Sequence, residues 1–324
     1  MSSTSRKSFL AAGAAFAAST RTALGQPAPA PTLTQVSLGT SAIDGAMGCV
    51  AAQRAGYFAK NGLDVQFMIG SGASNSAAVA GGSLQFAGSN VVTLIKAHLQ
   101  GVPFQIVCPG AIYDTNDPTQ VLCVLTNSGY KTGADLDGKT IAVTAIGDLL
   151  STSTLAWIDQ HGGHSSTVKL VEVPPSAQVP ALETGRVQAA ALAEPFLSQA
   201  ISDGNAKIFA KIFDAIAPRY LEAAYVGIPD YINANPDTVR RFATAVLAGG
   251  AFADEHTDQT LPWLIDFAHI DPAVAKRVRR ERFATTIDPS LVQVEIDALA
   301  RLKLIDHGFD ARELFSPVVL NLRH

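Results

Sequence analysis

Cysteine is scarce in this chain, and so are the signature motifs of common enzymes; each shortage excludes something. Three cysteines in 324 residues, Cys49, Cys108 and Cys123, are too few and too scattered for a disulfide scaffold or a metal knuckle. Cys108 and Cys123 could close a small loop, but all three read more simply as buried free thiols. No apolar run reaches the roughly 20 residues that span a bilayer. There is no Gly-x-Ser-x-Gly elbow, no Gly-Lys-Ser/Thr phosphate loop and no glycine-rich dinucleotide fingerprint. His161 and His164 stand three apart, but Gly162-Gly163 between them mark a helix end and a turn rather than a metal pair. No cofactor, no metal and no catalytic residue are expected.

Positive charge is also short. The formal balance is −4, and the N-terminus holds three of the basic residues. Arg6 and Lys7 precede an apolar run from Phe9 to Ala18, and Ala23-Leu24-Gly25 forms a small-residue cleavage site, so residues 1–25 read as an export signal. Ser5-Arg6-Lys7-Ser8-Phe9-Leu10 is similar to the twin-arginine motif with Lys in the second basic place. Cleavage after Gly25 leaves 299 residues with a balance of −7. An acidic exported protein is a poor partner for nucleic acid or anionic lipid. Residues 26–33, alternating Pro and Ala at first, read as a disordered leader.

What the chain does have is small residues at strand ends. From Ile69 to Gly88 a strand ends near Met68, a Gly/Ser loop opens a small-residue helix at Ser74 or Asn75, Gly81-Gly82 stop it, and Leu84 to Ala87 form a strand. Such a loop presents unpaired backbone N–H groups and hydroxyls at the positive end of a helix. The unit recurs from Val171 to Leu192, with Gly82 and Gly185 lying 103 positions apart and Leu84-Gln85 falling on Val187-Gln188. A period this long predicts two similar α/β lobes rather than a solenoid.

The remaining elements follow the same grammar. Strands are expected at Val36 to Thr40, Leu63 to Met68, Phe104 to Cys108, Val121 to Leu125 and Thr140 to Thr144, with a helix from Gly48 to Phe58. Ser89-Asn90 sit where an N-cap belongs, ahead of a helix from Val91 to Gln100, and Tyr113, Asp114 and Asn116 are placed in a loop. Ser151 to Thr154 open a second anion-friendly helix start. Ala223 to Ile228 carries the chain back to the first lobe. From Asn235 the chain is read as helical, with one helix from Asp271 to Arg282 whose Arg277, Arg279 and Arg280 form a solvated face. Alternating strands and short helices predict a mostly parallel sheet in each lobe, with ligands at the strands' carboxyl ends. Ser41, Asp44, Ser71, Ser74, Asn75, Ser89, Asn90 and Tyr113 then gather on one rim, with Glu194 at the matching place in the second lobe.

The phrases Gly56-Tyr57-Phe58-Ala-Lys-Asn-Gly62-Leu63-Asp-Val65, Gly70-Ser71-Gly72-Ala73-Ser74, Leu136-Asp-Gly-Lys139, Leu182-Glu-Thr-Gly185 and Glu194-Pro195 resemble the periplasmic solute-binding proteins of nitrate, sulfonate and taurine ABC importers. The resemblance implies the type II periplasmic-binding-protein fold, α/β and two-lobed, closing about a hinge on a small-molecule solute for delivery to a membrane permease. It places ligand contacts at Ser41 to Gly45, Ser71 to Asn75, Ser89, Asn90, Gly147, Asp148, Ser151, Thr152 and Glu194. Lobe one is expected from residues 34–120 plus 224–324, with the helical C-terminal segment on it, and lobe two from 121–223; the molecule is expected to be a monomer. Asp114, Asp148 and Glu194 tilt the ligand toward an acid that also carries an N–H or O–H, such as an aminosulfonate. The alternatives are a neutral heteroaromatic such as a pyrimidine precursor, stacking on Tyr113 or Phe196, and a pyrimidine-synthesis enzyme of the same fold. That enzyme relationship uses a cysteine-rich run, which this chain lacks.

Overall fold

The computed structural model describes residues 32–322; the expected export signal and nearly all of the expected leader lie outside them. The strands run β1 Thr34–Thr40, β2 Leu63–Ile69, β3 Phe86–Asn90, β4 Gln105–Pro109, β5 Ala111–Asp114, β6 Gln120–Leu125, β7 Thr140–Val143, β8 Lys169–Glu172, β9 Ala189–Ala193, β10 Ala206–Ala210, β11 Arg219–Leu221, β12 Ala223–Gly227 and β13 Arg282–Phe283. They form two five-stranded sheets, ordered β2-β1-β3-β12-β4 and β10-β6-β9-β7-β8, and a small sheet β11-β5-β13.

The two large sheets share one plan. Each has a parallel triplet, β2-β1-β3 or β8-β7-β9, extended by an antiparallel strand from the crossing between lobes, β12 in the first and β6 in the second. Parallel strands need long crossovers, and the helices Gly72–Ala80 and Pro175–Glu183 supply the matching ones. Gly82 and Gly185 end these units with φ of 74° and 71°, a left-handed turn that a Cβ would strain. The duplication expected from the 103-residue offset is therefore physical.

The core is built from the inward faces of these strands and the helices over them. Leu38, Phe86, Ile95 and Phe242 lie in one buried cluster; Val121, Leu182, Leu192 and Leu197 lie in a second under the other sheet. The long helix Pro236–Glu255 packs closely on Met47–Arg54: a Cβ on Gly249 would lie 2.2 Å from the Gly48 carbonyl oxygen. No helix among the described residues is long and apolar enough to cross a membrane.

Four local expectations change. The cradle helix begins at Gly72, because Ser71 rather than Ser74 or Asn75 caps it, its hydroxyl accepting from Ser74 N–H at 3.1 Å. The helix expected between residues 48 and 58 breaks at Gly56, whose φ is 78°, and resumes at Tyr57. Tyr113 and Asp114 belong to β5, paired with β11, rather than to a loop. Residues 271–282 are helical only over Pro272–Ala275; beyond it the chain extends, and Arg282–Phe283 pair with β5. All three cysteines are free and buried.

Candidate functional site

The first-lobe loops assemble around Gly70. Ser41 Oγ donates to the Gly70 carbonyl at 2.9 Å, and Asn75 Nδ2 reaches the same oxygen at 3.3 Å. A Cβ on Gly70 would meet Asn75 Oδ1 at 2.6 Å, so this glycine is what lets the Asn75 amide tuck beneath the loop. Ser71, Gly72 and Ser74 stand at the helix start, where the first N–H groups lack intrahelical partners; Ala73 is in the same turn. Ser89 is buried at the end of β3, and Asn90 Oδ1 caps the next helix, Val91–Leu99, accepting from Thr93 N–H at 2.9 Å. Gly45 lies in the short turn Asp44–Ala46 that opens the helix at Met47.

The second-lobe loop repeats the device. Asp148 caps the helix Leu149–Gln160, accepting from Ser151 N–H at 2.8 Å and from Thr144 Oγ1 at 3.0 Å. Gly147 N–H donates to Ser151 Oγ at 2.8 Å. Lys96 reaches this loop from the first-lobe helix Val91–Leu99: its Nζ donates to the Gly147 carbonyl at 2.8 Å and to Thr152 Oγ1 at 3.0 Å. Burial pushes the Lys96 pKa down, with the Asp148 charge opposing.

Asp44 and Glu194, from different lobes, meet on one segment. Arg280 Nε donates to Asp44 Oδ1 at 2.7 Å, and Glu281 N–H donates to Asp44 Oδ2 at 2.6 Å. Glu194 accepts from Ser198 Oγ at 2.8 Å, Ser198 N–H at 3.1 Å and Arg279 N–H at 3.3 Å. Burial raises both carboxyls; Arg280 opposes this at Asp44, and the Ser198 and Arg279 donors oppose it at Glu194. Of the arginines expected on a solvated helix face, Arg277 and Arg279 are exposed but not helical, while Arg280 pairs with Asp44, because a buried carboxylate needs a cation and N–H donors more than residues 277–281 need a helix.

Two expected residues are committed elsewhere, one to core packing and one to a turn. The Tyr113 ring is buried against Phe213 and Tyr220, its hydroxyl donating to Asp214 Oδ1 at 2.7 Å, so it offers no free stacking face. Asp114 accepts from Asn116 N–H and Nδ2, both at 2.9 Å, and closes a turn beside Arg219. Phe196 begins the helix Phe196–Ser202 directly after Glu194-Pro195 and is half-buried.

Sequence reasoning missed Lys96, Arg280 and a buried acidic pair. Glu222, between β11 and β12, accepts from Gln120 and is pushed up to about 7 by burial, which that hydrogen bond opposes. Glu281 accepts from Thr119 Oγ1 at 2.6 Å; burial first, then the Glu222 charge, hold it well above the usual carboxylate range. The one sequence signal was Glu222 itself, an acid directly ahead of an apolar strand.

Two like lobes, each presenting capped helix starts and joined by bonds from Lys96 and residues 277–281, make the two-lobed periplasmic-binding-protein fold. The chain belongs to the NMT1/THI5-like family, whose profile matches residues 45–260. Its fold is that of the periplasmic aliphatic sulphonate binding protein SsuA from Escherichia coli, at 18% identity and TM-score 0.70, covering 87% of this chain and 92% of that one. The periplasmic nitrate-binding protein NrtA from Synechocystis PCC 6803 shares it at 16% identity and TM-score 0.73, covering 87% and 85%. So does the desulfurization enzyme DSZB, at 13% identity and TM-score 0.66, covering 88% and 98%. Binding proteins predominate among these likenesses, although the fold has also been put to catalysis. A search of curated proteins finds no match.

Proposed function

We propose that this chain is the exported, periplasmic solute-binding component of an ABC importer, a monomer that traps a small organic acid between its lobes and hands it to a membrane permease. The observation that carries this reading is the treatment of the acids in the strand-end loops. Asp44, Asp148 and Glu194 each already receive donors from the protein itself, leaving backbone N–H groups and hydroxyls at the helix starts as the groups that meet a ligand. Such a set suits a sulfonate-, nitrate- or taurine-like solute, because helix starts and loop amides hold oxyanions without a full counter-charge. It offers little to a bare amine. Burial of Tyr113 weakens the heteroaromatic alternative, which would rely on Phe196 alone.

Closure traps a ligand only through contacts that the open form lacks, and the loop holding Gly147 to Thr152 belongs to the second lobe while Ser41 to Asn75 belong to the first. A thermal-shift screen against sulfonates, nitrate, taurine, pyrimidines and aromatic acids tests the reading. A true ligand at a hundred times its dissociation constant stabilises by about 2.7 kcal/mol. Stabilisation by an oxyanion-bearing solute, recovered unchanged by mass spectrometry, supports it. Stabilisation by pyrimidines alone, or conversion of any solute to product, overturns it.

A further inference from the structure

We propose that Lys96 is the latch of the cleft, a positioning residue whose ammonium holds the second lobe's Gly147-to-Thr152 loop against the first lobe. The proposal rests on the solute-binding reading and adds to it the residue that sets how far the lobes stand apart.

Lys96 sits on a helix anchored at the cleft end of β3 by the Asn90 cap, so its backbone moves with the first lobe. Both of its acceptors, the Gly147 carbonyl and Thr152 Oγ1, move with the second. They flank Asp148, which caps the helix Leu149–Gln160, so the ammonium grips the loop on both sides of that cap. Electrostatics make the placement informative. A cation beside a helix N-terminus faces the positive end of the helix dipole. Lys96 is compensated there by Asp148 through space and by two directed hydrogen bonds to neutral oxygens. Those bonds are charge-assisted, and they exist only while the lobes are near each other.

The β5–β11 pairing and the Tyr113–Asp214 hydrogen bond also join the lobes, and the bridge made by residues 277–279 is of a different kind from Lys96. Ser198 Oγ donates to the Arg277 carbonyl at 2.8 Å, the Arg277 guanidinium donates to Ser202, and Arg279 N–H donates to Glu194 at 3.3 Å. That bridge is a run of backbone held at several points. The Lys96 bridge is one flexible, half-buried side chain with two bonds, so rotation of the lobes breaks it first. Release then frees the loop that carries Gly147, Asp148, Ser151 and Thr152.

The test measures lobe separation in ligand-free protein. Spin labels on Gln66→Cys and Asp203→Cys, exposed positions in the two lobes, report the distance by double electron–electron resonance. Lys96→Met keeps the stem and removes the charge, and Thr152→Val removes one acceptor. The latch predicts a longer and broader distance distribution in both variants and at least fivefold faster amide exchange over residues 145–152. Distributions that superimpose on the wild type overturn it, as does a lowered melting temperature with unchanged distances, which marks a merely structural lysine. The two readings separate cleanly. If the wild type binds no screened solute yet Lys96→Met still widens, the latch stands and the solute-binding reading falls; if the wild type binds a solute and closes while Lys96→Met matches it, the latch falls and the solute-binding reading stands.

Discussion

Gln85 and Gln188 do the same job in the two lobes. Gln85 donates its backbone N–H to the Ser37 carbonyl at 3.2 Å, while its side-chain Oε1 accepts from Ser37 N–H at 2.8 Å. Gln188 does this to Thr140, at 2.8 Å and 3.1 Å. Each glutamine closes a reciprocal pair at the start of its own parallel triplet, following the left-handed glycine that ends the preceding helix. A backbone N–H at that place has no strand partner, and a side-chain carbonyl supplies one.

Replacing either glutamine by alanine strands that N–H. Gln85→Ala and Gln188→Ala are each expected to cost about 1–2 kcal/mol, read as a shift in urea midpoint at unchanged slope. The double variant should lose the sum, since the two sites share no partner.

The Asp44–Arg280 pair should be far more sensitive. Asp44 is only 3% exposed, so Arg280→Ala leaves a buried carboxylate with one N–H donor and no cation. The expected loss is about 3–5 kcal/mol. Adding Asp44→Asn should recover part of it, because the neutral amide no longer needs the guanidinium. Chemical denaturation of the three variants measures both steps.

Stability should fall as pH rises through neutrality. Burial holds Glu222 up at about 7 and Glu281 and Glu295 well above the usual range, so the folded protein binds protons that the unfolded chain releases near the ordinary value of 4.5. With more protons bound in the folded state, the slope of unfolding free energy against pH is negative, at about 1.4 kcal/mol per pH unit for each proton involved. The melting temperature is therefore expected to rise between pH 8 and pH 6, and Glu222→Gln to flatten that rise.

Gly249→Ala should separate two helices. Its Cβ would lie 2.2 Å from the Gly48 carbonyl oxygen and 2.6 Å from the Ala52 nitrogen, backbone atoms that cannot swing aside. Overpacking of this kind costs about 1–3 kcal/mol. Gly72→Ala, where a Cβ meets nothing within 4 Å, serves as the tolerant control for a helical glycine. Thermal unfolding of the two variants should differ accordingly.

Much of this architecture is local and was legible in the residues themselves. Asn90 as a cap, Gly82 and Gly185 as stops and the repeated strand–helix–strand unit each depend on a few neighbouring positions, and so does the α/β class. The Asp271-to-Arg282 helix misled because its periodicity carried no sign of the demand made by Asp44. That demand is visible only once a residue 236 positions earlier stands beside Arg280.

The sequence by itself determined the α/β class, the central strands and the doubling of one strand–helix–strand unit, because backbone preference and capping act within a turn or a strand. Only the tertiary structure decided that Tyr113 turns into the core, that Asp44 and Glu194 share one segment, and that Lys96 reaches Thr152, 56 positions away. Those outcomes follow from desolvation: once folding removes water from a charge, it must find donors or a counter-charge wherever the chain happens to place them.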